Sequence, residues 1–289
     1  MASAYPTTGS VAPVTRIFLA QAGVIDENRP MMPPVPELRV APLALIRPHE
    51  EVDPLRVDRL AGRIIAEGAQ LNPVVCVEDL SGELVLLDGA TRTAALRHLG
   101  LTHAVVQIVD ERTISLERWH HVIREADSSE IVDLIGGDHD LSLVSDEGPP
   151  SIKTPDGRRR SVHGDELNLS RVLSALVHSY VGRWTVNRVT DGELHLVPER
   201  FPDWGAVVEF PALTMGDVRK AALGEDLLPA GITRFSVPDR VLRVNADLAM
   251  LESPGSTADK QALLDQLIRA RRNSGRVRHY PNSVIIFDE

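Results

Sequence analysis

Between residues 43 and 110 the apolar positions switch repeatedly between strand and helix spacing, and the switching predicts an α/β unit. Leu43-Ala44-Leu45-Ile46 is a short strand that stops at Arg47-Pro48. From Pro54 to Glu67, Val57, Leu60, Ile64 and Ile65 recur on one face of a helix, with Asp53 as N-cap and Gly68 closing it. Pro73–Val77 and Leu84–Leu87 are unbroken apolar runs, the pattern of strands covered on both faces, joined by a turn at Ser81-Gly82. Asp88-Gly89 breaks the second run. Ala94, Ala95, Leu96 and Leu99 then resume helical spacing up to Gly100. A strand at Ala104–Val109 completes a strand-helix-strand crossover, expected to be right-handed.

The pattern over Thr113–Gly136 predicts mostly helix, including Trp119, His120 and His121. Asp138–Gly157 is polar and turn-rich, so a loop is expected there, with a hairpin turn at Asp156-Gly157. Leu167–Tyr180 predicts an apolar helix, and RWTVNRV-TDG-ELHLV a second hairpin. Thr214 and Asp217 form a capping box ahead of MGDVRKAAL, Ser256–Arg272 is an amphipathic helix, and Val277–Tyr280 and Val284–Phe287 predict closing strands. Pro6, Pro13, Pro30, Pro33, Pro34 and Pro36 make residues 1–40 an irregular arm, with Val14–Ala20 a short strand or helix within it. Three regions follow: the arm (1–40), an α/β unit (41–137) and a mixed α+β region (151–289).

A chain of 289 residues that is 43% hydrophobic has room for one large or two modest domains. The formal net charge of −10 argues against duplex binding, which needs a basic face. Arg158-Arg159-Arg160 beside Pro155-Asp156-Gly157 reads as a solvated hairpin tip. No apolar run approaches the ~20 residues that span a bilayer, and the N-terminus lacks a basic region ahead of an apolar core. Cys76, the single cysteine, lies in an apolar strand, so a buried thiol and a cytoplasmic setting are expected.

The chemistry concentrates where Leu84–Leu87 meets the helix after Gly89. Free N–H groups of a helix start, the hydroxyls of Thr91 and Thr93 and the Arg92 guanidinium would together hold phosphate. An ordinary βα turn with a capping Thr explains the same residues. Asp88 at the strand end would hold Mg²⁺ or cap the turn.

DGATRTAALRHLG resembles the signature turn of the ParB/sulfiredoxin fold. LIRPHEEVDP, TISLERWHH, GITRFSVPDRVLRVN and SGRVRHYPNSVIIFDE narrow the resemblance to its free serine kinase branch, nucleotide-dependent enzymes that make O-phosphoserine and include a siderophore-pathway member. The resemblance implies an α/β (α+β) chain with a ParB/sulfiredoxin-like nucleotide-binding unit at 41–137 and a C-terminal domain at 151–289 contributing substrate-binding residues. It implies a kinase that uses ATP or ADP with Mg²⁺ to phosphorylate free L-serine or a close hydroxy amino acid. Carried over, Glu50 in PHE is the general base. His49, Asp88, Gly89, Ala90, Thr91, Arg92 and Thr93 bind the donor phosphates, with Asp88 as metal ligand and Arg92 catalytic. Trp119, His120 and His121 wall the amino-acid pocket, and Thr233 and Arg234 hold the substrate carboxylate or a donor phosphate.

Each residue has a plainer alternative. Glu50 would flank the next helix favourably to its dipole, His49 would end a strand, Trp119 would be core, and Thr233 and Arg234 would belong to a surface salt bridge. Arg276, Arg278 and His279 are basic without an assigned role. Two departures matter. Ala90 stands where sulfiredoxins carry the catalytic cysteine, which excludes sulfinic-acid chemistry. Thr91 stands where the serine kinases carry a histidine, which leaves the choice between ADP and ATP open. A ParB-like nucleotide-binding regulator of DNA or of a partner protein is the second class, and the acidity and lack of a helix-turn-helix favour the enzyme.

Overall fold

Apolar runs buried on both sides build the first sheet. The computed structural model describes residues 35–145, 148–164, 167–224 and 226–280; the expectations for Val14–Ala20 and Val284–Phe287 lie outside the described residues. β1 (Leu38–Pro42) and β2 (Ile46–Pro48) precede α1 (Pro54–Glu67), the two-residue β3 (Ala69–Gln70), β4 (Val74–Glu78), β5 (Leu84–Asp88), α2 (Ala90–His98) and β6 (His103–Ile108). Five of these strands form a sheet in the order β1-β6-β4-β5-β2. Val74, Cys76, Leu84 and Leu86 point into one core with Val57, Ala61 and Ile64 of α1 and Ala95 and Leu96 of α2. Val75, Val77, Val85 and Leu87 point to the other face, which is why both runs are continuously apolar. Burial pushes the Cys76 thiol well up, so it stays protonated.

The stop signals of α1 act as expected. Asp53 accepts a hydrogen bond from the Leu55 N–H at 2.9 Å, and Gly68 takes the left-handed conformation at φ 64°. The crossover is different. β5 runs antiparallel to β4, and β4 parallel to β6, so α2 connects two antiparallel strands with β4 between them. The parallel pairs are β2 with β5 and β4 with β6. Hairpin pairing of β4 and β5 takes precedence because their connection is short.

Thr113–Gly136 is largely not helical. It forms β7 (Ser115–Arg118), β8 (His120–Arg124) and, from Ser128, the short α3 (Ser128–Gly136). Val122 and Ile123 of β8 pack on opposite sides of a sheet, the two-residue period of a strand, and neighbours on both edges outweigh the weak helical spacing. Asp138–Gly157 likewise supplies β9 (Ser142–Ser145) and β10 (Ser151–Lys153), the latter turning through Asp156-Gly157 into β11 (Arg159–His163). α4 (Leu169–Tyr180) and β12 (Thr185–Val189) follow. ELHLV is not a strand: a capping box at Thr190 and Glu193 starts a 3-10 turn, and Pro198 sits at the start of α5 (Val197–Arg200). β12 instead pairs with β8, and with β13 (Trp204–Glu209) they complete a six-stranded antiparallel sheet in the order β12-β8-β13-β10-β11-β9. Helices α3 and α4 cover one face through Ile131, Ile135, Leu173 and Leu176. Residues 120–136 therefore belong with this second sheet, whereas Leu116 of β7 packs on the second face of the first.

The C-terminal third returns to the first sheet. The predicted capping box at Thr214 and Asp217 starts α6 (Met215–Leu223), whose Val218 and Ala222 seal the second face of that sheet. β14 (Thr233–Ser236) pairs with β7, and β15 (Ala246–Asp247) with β3. Helices α7 (Leu248–Glu252) and α8 (Thr257–Asn273) bring Leu251 and Leu264 into the first core. Val277–Tyr280 is not a strand. Among the described residues no helix is long and apolar enough to cross a membrane.

Lys260 of α8 is buried, at 2% exposure, and its ammonium donates to the carbonyls of Leu251, at 2.7 Å, and Ser253, just where α7 runs out of internal donors. Lys260→Met keeps the stem and strands those carbonyls in an apolar surrounding. Urea unfolding at pH 7 should read a loss of about 1–3 kcal/mol.

Candidate active site

Parallel strands place their C-terminal ends together. Pro48 of β2 stands opposite Leu86 of β5, so continuing the same register by two residues brings Glu50 beside Asp88, at the strand edge where α/β sheets gather ligands. Gly89 follows at φ 98°, and a side chain there would lie 2.8 Å from Val74 Cγ1. Having none, Gly89 cannot cap α2, whose start has no side-chain cap. The first N–H groups of the helix are therefore left without a side-chain acceptor, an arrangement that can receive an anion. Arg92 is half-buried and donates through Nη1 to the Pro73 carbonyl at 2.7 Å, which fixes its fork across the turn. Thr91 is half-buried, whereas Thr93 is 1% exposed with a hydroxyl that finds no partner. Thr93 thus serves the turn through its backbone N–H, bonded to the Gly89 carbonyl at 2.8 Å. Asp88 forms an ion pair with Arg240.

The segment Leu228–Ser236 lies along the other side. The Leu228 N–H donates to the His49 carbonyl at 2.9 Å and the Glu51 N–H to the Leu228 carbonyl at 2.8 Å. The Gly231 N–H then donates to Glu50 Oε2 at 3.1 Å, while Oε1 accepts nothing among the described residues. Glu51 is occupied twice, by His178 at 2.7 Å and the Ser174 hydroxyl at 3.3 Å. One of the adjacent carboxylates is open and the other is engaged.

His49 is buried, with both ring nitrogens engaged: Nδ1 meets the Leu86 carbonyl at 2.6 Å and Nε2 the Thr233 hydroxyl at 2.9 Å. A carbonyl only accepts, so Nδ1 carries the proton, Nε2 accepts from Thr233, and the Thr233 oxygen turns lone pairs outward. Burial holds the His49 pKa down against the Glu50 and Asp88 charges and the Leu86 carbonyl. His49 therefore orients Thr233 and has no nitrogen left for a phosphate.

Trp119 is half-buried, its N–H bonded to the Ile232 carbonyl at 2.9 Å, and the Arg234 guanidinium lies 4.9 Å over its ring. Arg234 also pairs with Glu117 at 2.8 Å. His120 and His121 are buried. His120 accepts from the Phe210 N–H at 3.1 Å and donates to Asp191 at 3.1 Å. His121 accepts from the Tyr180 hydroxyl at 2.7 Å and reaches the Gly231 carbonyl at 3.3 Å. His121 thus buttresses the segment from behind, while His120 ties β8 to Phe210 and Asp191. Arg276 and Arg278 are exposed, and His279 pairs with Asp239 at 3.0 Å.

No family model matches the chain. The ATP-dependent L-serine kinase SbnI of Staphylococcus aureus (strain NCTC 8325 / PS 47) is 23% identical over 243 residues, which cover 81% of this chain and 93% of that protein. The structure of C-terminally truncated SbnI aligns with a TM-score of 0.70 at 21% identity, over 81% of this chain and 97% of that one. A free serine kinase in complex with AMP gives 0.65 at 16% identity, over 74% and 93%. A glutamate-to-alanine variant of a free serine kinase in complex with ADP gives 0.65 at 14%, over 74% and 93%. The chain has the free serine kinase fold.

Within that fold, three residues of the site escape sequence reasoning. Gly231 acts through its backbone, Arg240 reaches Asp88 from 152 positions away, and Arg188 lies on Gly231, where an added Cβ would collide with its guanidinium. Only the positive φ of Gly231, 80°, carries a sequence trace, as a glycine. The single cluster of three potential metal ligands among the described residues is the exposed Asp138-His139-Asp140 loop, which the serine-kinase fold leaves outside the strand-end site.

Burial pushes the His121 pKa down to about 4, with Arg188 and His120 adding to the effect and the Gly231 carbonyl opposing it. The unfolded chain takes up this proton near 6.5, so between the two values the unfolded state binds more protons and stability falls as pH drops from 6.5 toward 4. The total is on the order of 3 kcal/mol. In His121→Gln, urea unfolding measured at several pH values across that window should show a slope flatter by about one proton.

Proposed function

We propose that the protein transfers a phosphoryl group from ATP or ADP to the hydroxyl of free L-serine, releasing O-phosphoserine. The observation that carries this reading is Glu50: one carboxylate oxygen is held by the Gly231 N–H and the other is open, at the mouth of an uncapped helix start. A carboxylate so fixed can take a proton from an alcohol while the cradle holds the donor. The kinship with SbnI, named an ATP-dependent L-serine kinase, supports the substrate, and the AMP and ADP complexes of free serine kinases support a nucleotide donor.

In the proposed reaction the serine oxygen attacks the terminal phosphorus, the bond to the leaving nucleotide breaks, and the hydroxyl proton passes to Glu50. The N–H groups of Ala90 and Thr91 and the fork of Arg92 hold the donor phosphates. Asp88 supplies one hard carboxylate oxygen, which fits Mg²⁺, an ion that takes one or two carboxylates and completes its shell with phosphate and water. Bound there, Mg²⁺ would neutralise charge on the donor phosphates, and Arg240 would give up its pairing with Asp88. Thr233, with its proton committed to His49, offers an acceptor suited to the substrate ammonium. Trp119 and Arg234 wall the amino-acid side, and a cytoplasmic setting is part of the same proposal.

Purified protein incubated with serine, Mg²⁺ and either ATP or ADP should yield phosphoserine by mass spectrometry; absence of product with both donors would defeat the assignment. Glu50→Gln should lower turnover about 10²–10⁴-fold with nucleotide affinity preserved, and Glu51→Gln should stay near wild type because its carboxylate is engaged by His178 and Ser174. Calorimetric titration of Arg92→Ala should show nucleotide affinity reduced by about 1.5–3 kcal/mol, the worth of a hydrogen bond to a charged group.

A further inference from the structure

We propose that Arg188 receives the α-carboxylate of the amino-acid substrate, and so selects free amino acids over other alcohols. This rests on the kinase reading above and deepens it. Arg188 lies on β12, opposite His121 in the pairing with β8. Its guanidinium rests flat on Gly231: Nε lies 2.6 Å from the place of an added Cβ, and Cζ and Nη2 lie closer still. No larger residue than glycine leaves room for it. Gly231 is the residue whose N–H fixes Glu50, so the open carboxylate and the guanidinium flank the same residue.

The charges around Arg188 leave it without a counter-ion. It makes no ion pair or hydrogen bond among the described residues, whereas Arg92 is held by Pro73, Arg118 by Asp191, Arg234 by Glu117 and Arg240 by Asp88. It remains open to solvent, yet surrounding protein lowers its pKa from the usual guanidinium value, with Glu50 attracting it and Arg56 repelling it. A desolvated, unpaired guanidinium favours an incoming anion. Glu50 attracts it without forming an ion pair, so the open carboxylate oxygen and the guanidinium both stay available at Gly231. The chemistry that fits a proton acceptor and a planar fork gathered at one glycine is a hydroxy acid bearing its carboxylate a few bonds from its hydroxyl. A phosphate tail is a poorer match, because the uncapped start of α2 already offers it N–H groups.

The test compares L-serine with L-serinamide, which keeps the hydroxyl and ammonium but lacks the carboxylate, in wild type, Arg188→Gln and Arg188→Lys, each checked by melting curve. Arg188→Gln should raise KM for L-serine about 10- to 100-fold, leave the already poor KM for serinamide unchanged, and leave nucleotide affinity unchanged by calorimetry. Arg188→Lys should fall between, since it keeps charge but loses the fork, and it serves alone if the glutamine variant does not fold. An unchanged KM for L-serine, or an equal loss with serinamide, would overturn the assignment while leaving the kinase reading intact. If wild type forms no phosphoserine, equilibrium dialysis of labelled L-serine decides separately: binding that Arg188→Gln abolishes upholds the carboxylate site without the reaction, and absence of binding removes both.

Discussion

Backbone hydrogen bonds along Leu228–Ser236 couple the two halves of the molecule. This segment belongs to neither large sheet. It bonds to the strand end at His49–Glu51 on one side and to Trp119 and His121 on the other. Sheets alone would leave the strand edge of the first half and the histidines of the second as separate surfaces. Paired this way, each buried amide is satisfied, and satisfying them draws Glu50, Thr233, Trp119 and Arg188 to one place. Gly231 is the narrowest point: its N–H goes to Glu50, its carbonyl takes His121, and its missing side chain admits Arg188.

The histidines show how polar groups can be buried here without loss. His49, His120 and His121 each have both ring nitrogens partnered, and where burial lowers the pKa, as for His49 and His121, it favours the neutral ring that those partners require. A neutral His49 accepts the Thr233 proton, and that fixes which polarity Thr233 turns to the site. These rings position other groups. Histidine is the commonest general base in enzymes, but at this strand end the open proton acceptor is the Glu50 carboxylate, and its neighbour Glu51 is closed by a His178 contact.

Charge is arranged in a similar way. The chain carries a net charge of −10, yet the strand-end site gathers guanidinium groups from four distant stretches, at Arg92, Arg188, Arg234 and Arg240. Three are held by protein oxygens and one is not. Held arginines keep a fixed orientation before a ligand arrives, which lowers the ordering cost of binding. The Asp88–Arg240 pair is the contact that a metal ion bound at Asp88, as proposed above, would have to displace.

Much of this was legible from residues alone where the signal is local. The cap at Asp53, the left-handed Gly68, the capping box at Thr214, the helix from Ser256 and the βα turn at Asp88-Gly89 are set by near neighbours in the chain, and all form as the pattern predicts. Strand pairing is not local. Whether ISLERWHHVI is helix or strand depends on β12, β13 and β14, all far away in the chain, and ELHLV lost its expected strand to a capping box and a proline that outweigh a weak alternation. The sequence by itself determined the apolar strands and the βα turn that follows β5, and only the family resemblance singled out the PHE carboxylate. Tertiary structure alone decided that Glu50 rather than Glu51 is open, that His49 is committed to Thr233, and that Arg188 stands unpaired over a glycine, because each depends on which distant backbone groups claim the polar atoms first.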